Sequence, residues 1–279
     1  MRIQLLSDLH LECQPDFMPH VAPNVDVLVL AGDIGSYQTG SRLTADDFGL
    51  TRFSPALNPG RWPRVLFTPG NHEFDGLEYS QTYDRLRELC CRLGIEWLER
   101  EVITIGRIRF VGTTLWSDFD AFAQSEKSLT RQVQKREKAF RAANHYLSKN
   151  TSLSQGCPML ADAIRELSLG CQAWLRETLL TPFDGPTVVV THFAPTLLSA
   201  DPRYGNQPGT AGFCNAMDDL LPLARLWMHG HLHCPNNYTV RGTSNGLEFA
   251  CQVVANPLGY LSKGEQKSFI EGFVLEVPE

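Results

Sequence analysis

The run VDVLVLAGD, Val25 to Asp33, is apolar or β-branched at nearly every position and then stops at Gly32-Asp33. Such a stretch is too short for a helix and lacks polar alternation, so it reads as a strand buried on both faces, as in a parallel sheet. The same pattern recurs along the chain. Ile3 to Ser7 runs into Asp8-Leu9-His10, and Arg64 to Thr68 runs into Pro69-Gly70-Asn71-His72-Glu73. Pro186 to Val190 precedes Thr191-His192, and Ala224 to Met228 precedes His229-Gly230-His231-Leu232-His233.

The intervening segments complete an α/β reading. Leu77 to Leu93 places Tyr79, Tyr83, Leu86, Leu89, Cys90 and Leu93 at helical spacing, and Gly94 supplies a stop. Val102 to Gly112 alternates around Gly106-Arg107, which predicts a hairpin. Residues 119–180 change character to Gln, Lys, Arg, Glu and Ala with helical periodicity, broken at Lys149 to Pro158. Two or more helices are expected there, partly covering a cleft or packing on the sheet. The second, Leu160 to Leu180, aligns Ile164, Leu167, Cys171, Trp174, Leu175 and Leu179 on one face. Ser199 to Gly212 is loop-like, with a short helix expected near Asn215 to Leu221. Tyr238 to Val254 and Phe269 to Val277 read as antiparallel strands.

With 279 residues, 43% of them hydrophobic, the chain can bury one large α/β core, and residues 1–279 are read as a single domain. A net charge of −6 offers no basic field for extended nucleic acid and favours a small substrate. The apolar stretch at Met1 to Ser7 is too short to be expected to act as a signal peptide, and no run of about 18 apolar residues suggests a membrane span. Eight cysteines without CxxC spacing are expected to be reduced thiols, which suits a cytoplasmic protein. Cys234, next to His233, reads as a bystander.

Strand ends that meet at one sheet edge would bring together two Asp, one Asn and several His. That is a ligand set for two divalent cations, with Mn²⁺, Fe²⁺/Fe³⁺ and Zn²⁺ all compatible. Asp33 is the expected bridge, because Gly32 lets the backbone turn tightly before it. Asp8, His10 and His233 would complete one metal, and Asn71, His192 and His231 the other. In Asp8-Leu9-His10 and His231-Leu232-His233, alternate residues of an extended segment face the same side. His229 exceeds the ligand count and is read as supporting or core. His20 and His145 are read as surface residues, and Glu73 as a cap on nearby backbone. Tyr37, Phe74, Arg203 and Tyr204 fall in loops that could border the cleft, though packing explains each.

This constellation resembles the calcineurin-like metallophosphoesterase superfamily, whose blocks DxH, GD, GNH(D/E), H and GHxH occur here in order from residue 8 to residue 233. Gly112 to Phe119, His192 to Thr196 and Asn256 to Tyr260 further resemble a bacterial branch of predicted phosphohydrolases. The resemblance implies a four-layer α/β/β/α sandwich of two mixed sheets flanked by helices. It also implies hydrolysis of a phosphoester by a metal-bridging hydroxide, with His72 outside the metal shell, assisting departure of the leaving oxygen. The chain lacks the Asp-Arg that follows the second block in phosphoprotein phosphatases and in diadenosine tetraphosphate hydrolases of that type. A small phosphodiester is therefore the expected substrate, with a phosphomonoesterase and a non-catalytic scaffold as alternatives.

Overall fold

The computed structural model describes residues 1–278. In chain order the elements of the first half are β1 (Arg2–Leu6), β2 (Val27–Ala31), β3 (Val65–Thr68), α1 (Tyr79–Leu93), β4 (Glu96–Trp97), β5 (Glu101–Ile105) and β6 (Ile108–Thr113). They are followed by α2 (Leu129–Leu147), a small hairpin of β7 (Leu153–Ser154) and β8 (Cys157–Pro158), and α3 (Ala161–Leu180). The chain then adds β9 (Thr187–Thr191), β10 (Leu226–His229), β11 (Asn236–Ser244), β12 (Leu247–Ala255) and β13 (Val274–Glu276).

The strands form two mixed sheets, ordered β13-β1-β2-β3-β4 and β11-β12-β10-β9-β6-β5. Each is parallel at its centre: β1, β2, β3 and β4 run together in one, and β6, β9, β10 and β12 in the other. Antiparallel strands close the edges, with β13 on β1, β5 on β6 and β11 on β12. Buried central strands explain why the founding runs lack polar alternation.

Side-chain parity then builds the layers. Ile3, Leu5, Val27, Val29 and Leu66 meet Ile108, Phe110, Val188, Val190, Leu226, Met228 and Val254 in a core between the sheets. The alternate residues Leu28, Leu30, Val65 and Phe67, and Val111, Val189, Trp227 and Val253, belong to a second cluster. That cluster also holds the inward stripes of α1 (Leu86, Leu89, Cys90, Leu93) and α3 (Ile164, Cys171, Leu175, Leu179). The result is the expected sandwich of two mixed sheets flanked by helices.

α1 ends as its sequence predicts, with Gly94 left-handed at φ 68° and its N–H bonded to the carbonyls of Cys90 and Cys91. Of α2's 19 residues, Ala139 alone is fully buried. α2 rests on α3 and on a 3₁₀ turn at Pro208–Gly212. The short helix expected near Asn215 to Leu221 is a 3₁₀ helix at Asp218–Leu223. Pro222 inside it has no N–H with which to propagate an α-helix.

Removing the fully buried Phe110 ring from the inter-sheet core should be costly. Phe110→Ala is expected to lose about 3–5 kcal/mol of stability in a urea titration. Val102→Thr on the edge strand β5, where Val102 is exposed, should stay within about 0.5 kcal/mol.

Candidate metal centre

The parallel strands deliver their carboxyl ends to one side, and the turns after β1, β2, β3, β9 and β10 carry the Asp, Asn and His residues singled out by sequence. These turns are tight. Asp8, His10, Asp33, His231 and His233 all have left-handed backbone, with φ between 46° and 70°. Non-glycine residues adopt that conformation at a cost of about 1–2 kcal/mol each, less for Asp with its short polar side chain. Such strain persists where surrounding structure holds it, most often at functional sites. Two glycines make the close approach possible: a Cβ on Gly32 would overlap the His192 ring, and one on Gly70 would overlap the Asp33 carboxylate.

The side chains fall into two groups that share one member. Ligand atoms of Asp8, His10, Asp33 and His233 lie within 4.8 Å of one another, and on the same measure Asp33, His192 and His231 form a second group. Asn71 joins the second through its Oδ1, 3.2 Å from His192 Nε2. Asp33 thus stands between the groups, with its Oδ2 3.1 Å from His192 Nε2. His72 belongs to neither group. Its Nε2 is 4.0 Å from Asp33 Oδ2, and its backbone N–H donates to Asp33 Oδ1 at 2.9 Å.

A surrounding ring of acceptors fixes the imidazoles. His10 Nδ1 bonds Glu12 Oε1 at 3.0 Å, His192 Nδ1 bonds the Ala31 carbonyl at 2.9 Å, and His233 Nδ1 bonds Glu265 Oε2 at 2.7 Å. Each acceptor requires the proton on Nδ1, which leaves Nε2 to present a lone pair to the centre. The Nε2 atoms of His10 and His233 consequently face each other at 2.9 Å. Two lone pairs at that distance repel unless a cation or proton lies between them. Asp8 Oδ2 is a buried oxygen without a partner among the described residues, and Asp33 Oδ2 is faced by His192 Nε2; a cation would serve both. The mixed carboxylate, imidazole and amide donors fit a pair of divalent metal ions.

Electrostatics point the same way. Burial alone would raise the Asp33 pKa, but His192 and His72 hold it well below the usual carboxylate range. Burial opposes charge on His192, yet Asp33 raises its pKa to about 9. Burial is likewise outweighed at His72 by Asp33 and Asp75, which hold its pKa well above the ordinary value. A proton favoured on His192 occupies a lone pair for which a cation would compete, whereas burial lowers the pKa of His10 and His231.

Glu73 does what its sequence position suggested, on a larger scale. Its buried carboxylate accepts N–H bonds from Asp33, Ile34, Gly35 and Gly70 at 2.6–3.3 Å, tying the β2 and β3 turns together. His229 is buried and lies in neither group; it bonds Ser199 Oγ and the Gly230 carbonyl, both at 3.0 Å, and burial lowers its pKa to about 4. His20 and His145 are exposed, and Phe74 is core. Tyr37 packs against Phe48, while Arg203 pairs with Asp201 and Tyr204 is exposed. Every cysteine is unpaired, Cys234 included.

Sequence reasoning missed Glu12, Asp75, Glu265 and Tyr260. Glu12 lies two residues after His10, and Asp75, 2.5 Å from His72 Nδ1, three after His72; left-handed backbone at Asp8, His10, His231 and His233 replaces the extended alternation expected there. Tyr260 lies at the end of the Asn256 to Tyr260 segment noted in the sequence, though with no role attached, whereas Glu265 reaches the centre from the C-terminal segment with no local signal. Tyr260 stacks on His10 at 4.2 Å. The same segment clamps the β1 turn, with the N–H groups of Leu258 and Gly259 donating to the carbonyls of Ser7 and Asp8.

The family model for calcineurin-like phosphoesterases matches residues 1–235. The chain belongs to the calcineurin-like phosphoesterase family. Its reaction class is accordingly metal-dependent phosphoester hydrolysis. This phosphoesterase is 26% identical over 288 residues to uncharacterized protein L509 of Acanthamoeba polyphaga mimivirus, covering 93% of this chain and 92% of the viral one. Its fold matches the crystal structure of the phosphopantetheinyl hydrolase PptH from Mycobacterium tuberculosis with a TM-score of 0.66. That match covers 97% of this chain and 93% of the other at 20% identity, a likeness of fold. Among the described residues of the phosphoesterase, no helix is long and apolar enough to cross a membrane.

A cation that binds the folded centre and not the unfolded chain stabilises it by mass action. Free Mn²⁺ at about 100 times its Kd should add about 2.7 kcal/mol per site, read as a rise in Tm and reversed by chelator. Asp33→Ala should abolish that rise.

Proposed function

We propose that the phosphoesterase uses a dinuclear metal centre to hydrolyse a small phosphodiester. Asp8, His10 and His233 would hold one cation, Asn71, His192 and His231 the other, and Asp33 would serve both. The observation that carries this reading is the position of Asp33, the one residue common to both ligand groups. When bound, two divalent ions lower the pKa of water toward about 7 and offset charge that develops on the phosphoryl oxygens.

His72 is the proposed catalytic acid. Its side chain is 21% exposed, while Asp33 and Asp75 beside it are almost wholly buried. Asp75 holds Nδ1 and so aims the opposite ring edge toward the centre, where Nε2 can carry a proton to a departing alkoxide. Asn150 donates to the same Asp75 carboxylate at 2.7 Å, which keeps Asp75 in place. Glu73, by contrast, spends its carboxylate on four backbone N–H groups and has no lone pair to offer a substrate.

The net charge of −6 supports a small substrate in preference to extended nucleic acid. Unpaired cysteines throughout fit a reducing compartment such as the cytoplasm. The solved neighbour is named for hydrolysis of a phosphopantetheinyl group, so a phosphopantetheinyl ester belongs in the substrate screen with cyclic nucleotides and nucleotides.

With Mn²⁺ added, bis(p-nitrophenyl) phosphate should be cleaved faster than p-nitrophenyl phosphate; a clear preference for the monoester would overturn the diester assignment. His72→Ala should retain metal and lose turnover by about 10²–10⁴-fold. Asp33→Ala should lose metal and turnover together. Retained turnover in both variants would refute the assignment of this centre.

A further inference from the structure

We propose that Phe213, with Phe193, orients the His231 imidazole and so sets the affinity of the half of the centre formed by His231, His192, Asn71 and Asp33; this rests on the two-cation reading above. His10, His192 and His233 each have Nδ1 fixed by an oxygen acceptor. His231 differs. Neither of its ring nitrogens has a hydrogen-bond partner among the described residues, and its one polar anchor is the backbone N–H, bonded to Asp8 Oδ1 at 2.8 Å. A ligating imidazole without an outer partner is free to rotate about its side-chain bonds unless packing stops it.

Here packing is aromatic. The Phe193 ring lies 4.0 Å from the His231 ring at 33°, and the Phe213 ring lies 5.1 Å away at 30°. Two neighbours inclined by about 30° to the imidazole limit its rotation as a carboxylate would at its edge. Backbone pairing holds the two phenylalanines in register. Ala194 and Cys214 form an isolated parallel bridge, so the residues just before them, Phe193 and Phe213, lie side by side. Ala194 N–H donates to the Phe213 carbonyl at 3.4 Å, and Asn215 N–H donates to the Ala194 carbonyl at 2.9 Å. The two rings differ in surroundings: Phe193 is buried, whereas Phe213 is 40% exposed at the end of the 3₁₀ turn on which α2 rests. An exposed phenyl ring against a half-buried His has little to gain from core packing, which leaves the stacking contact as its role. Phe213 is thus a positioning residue that acts through His231.

The test is Mn²⁺ titration calorimetry on the full chain and on Phe213→Ala, Phe213→Leu and Phe213→Tyr. The wild type should bind two equivalents. Alanine and leucine should weaken one equivalent by about 10-fold or more and leave the other nearly unchanged, and tyrosine should restore the wild-type pattern. Leucine keeps the apolar volume without the ring, so wild-type binding in Phe213→Leu would overturn the proposal. Equal weakening of both equivalents, or failure of tyrosine to restore binding, would also overturn it. Fewer than two equivalents in the wild type would overturn the dinuclear reading itself, whereas two equivalents left intact in Phe213→Ala would overturn the positioning role alone.

Discussion

The carboxylate of Asp33 is the constraint on which the rest of this protein depends. It is buried between imidazoles, with one oxygen bonded to the His72 backbone N–H and the other 3.1 Å from His192 Nε2. A lone carboxylate in such a place would be protonated or would drive its loop outward. It stays because the fold surrounds it. β2 ends two residues earlier, Gly32 and Gly70 remove side chains that would collide, and Glu73 gathers the N–H groups of the Asp33 turn.

The same logic extends outward in shells. Parallel strands bring the turns to one edge; left-handed backbone at Asp8, His10, Asp33, His231 and His233 turns each side chain inward. Glu12, the Ala31 carbonyl and Glu265 then decide which nitrogen of each bound imidazole faces the centre. The C-terminal segment completes the arrangement from far along the chain, through Leu258, Gly259, Tyr260 and Glu265. Strain and unsatisfied charge are thereby concentrated at one point, where two cations would relieve them.

Much of this was legible in the sequence, for a local reason. A strand buried on both faces advertises itself as an unbroken apolar run, and a residue just past its end is placed by the strand alone. Asp8, Asp33, Asn71, His192 and His231 are of this kind, and α1 and α3 followed from helical spacing. What stayed hidden depends on distant segments meeting. Glu265 and Tyr260 come from irregular backbone whose position is set by contacts with the β1 turn, and Phe213 comes from a loop whose register is fixed by one bridge to Ala194. The short helix expected near Asn215 to Leu221 is present as the 3₁₀ helix Asp218–Leu223, three residues later in its start. Glu12 shows a different limit: it lies two residues past His10, but nothing local said that it would grip an imidazole.

The central claim is that two cations share Asp33. Anomalous diffraction from Mn²⁺-soaked crystals, collected above and below the manganese edge, tests it most directly. The account predicts two peaks per chain about 3.5–4 Å apart, both in contact with the Asp33 carboxylate. A single peak, or a second one away from Asp33, would contradict it.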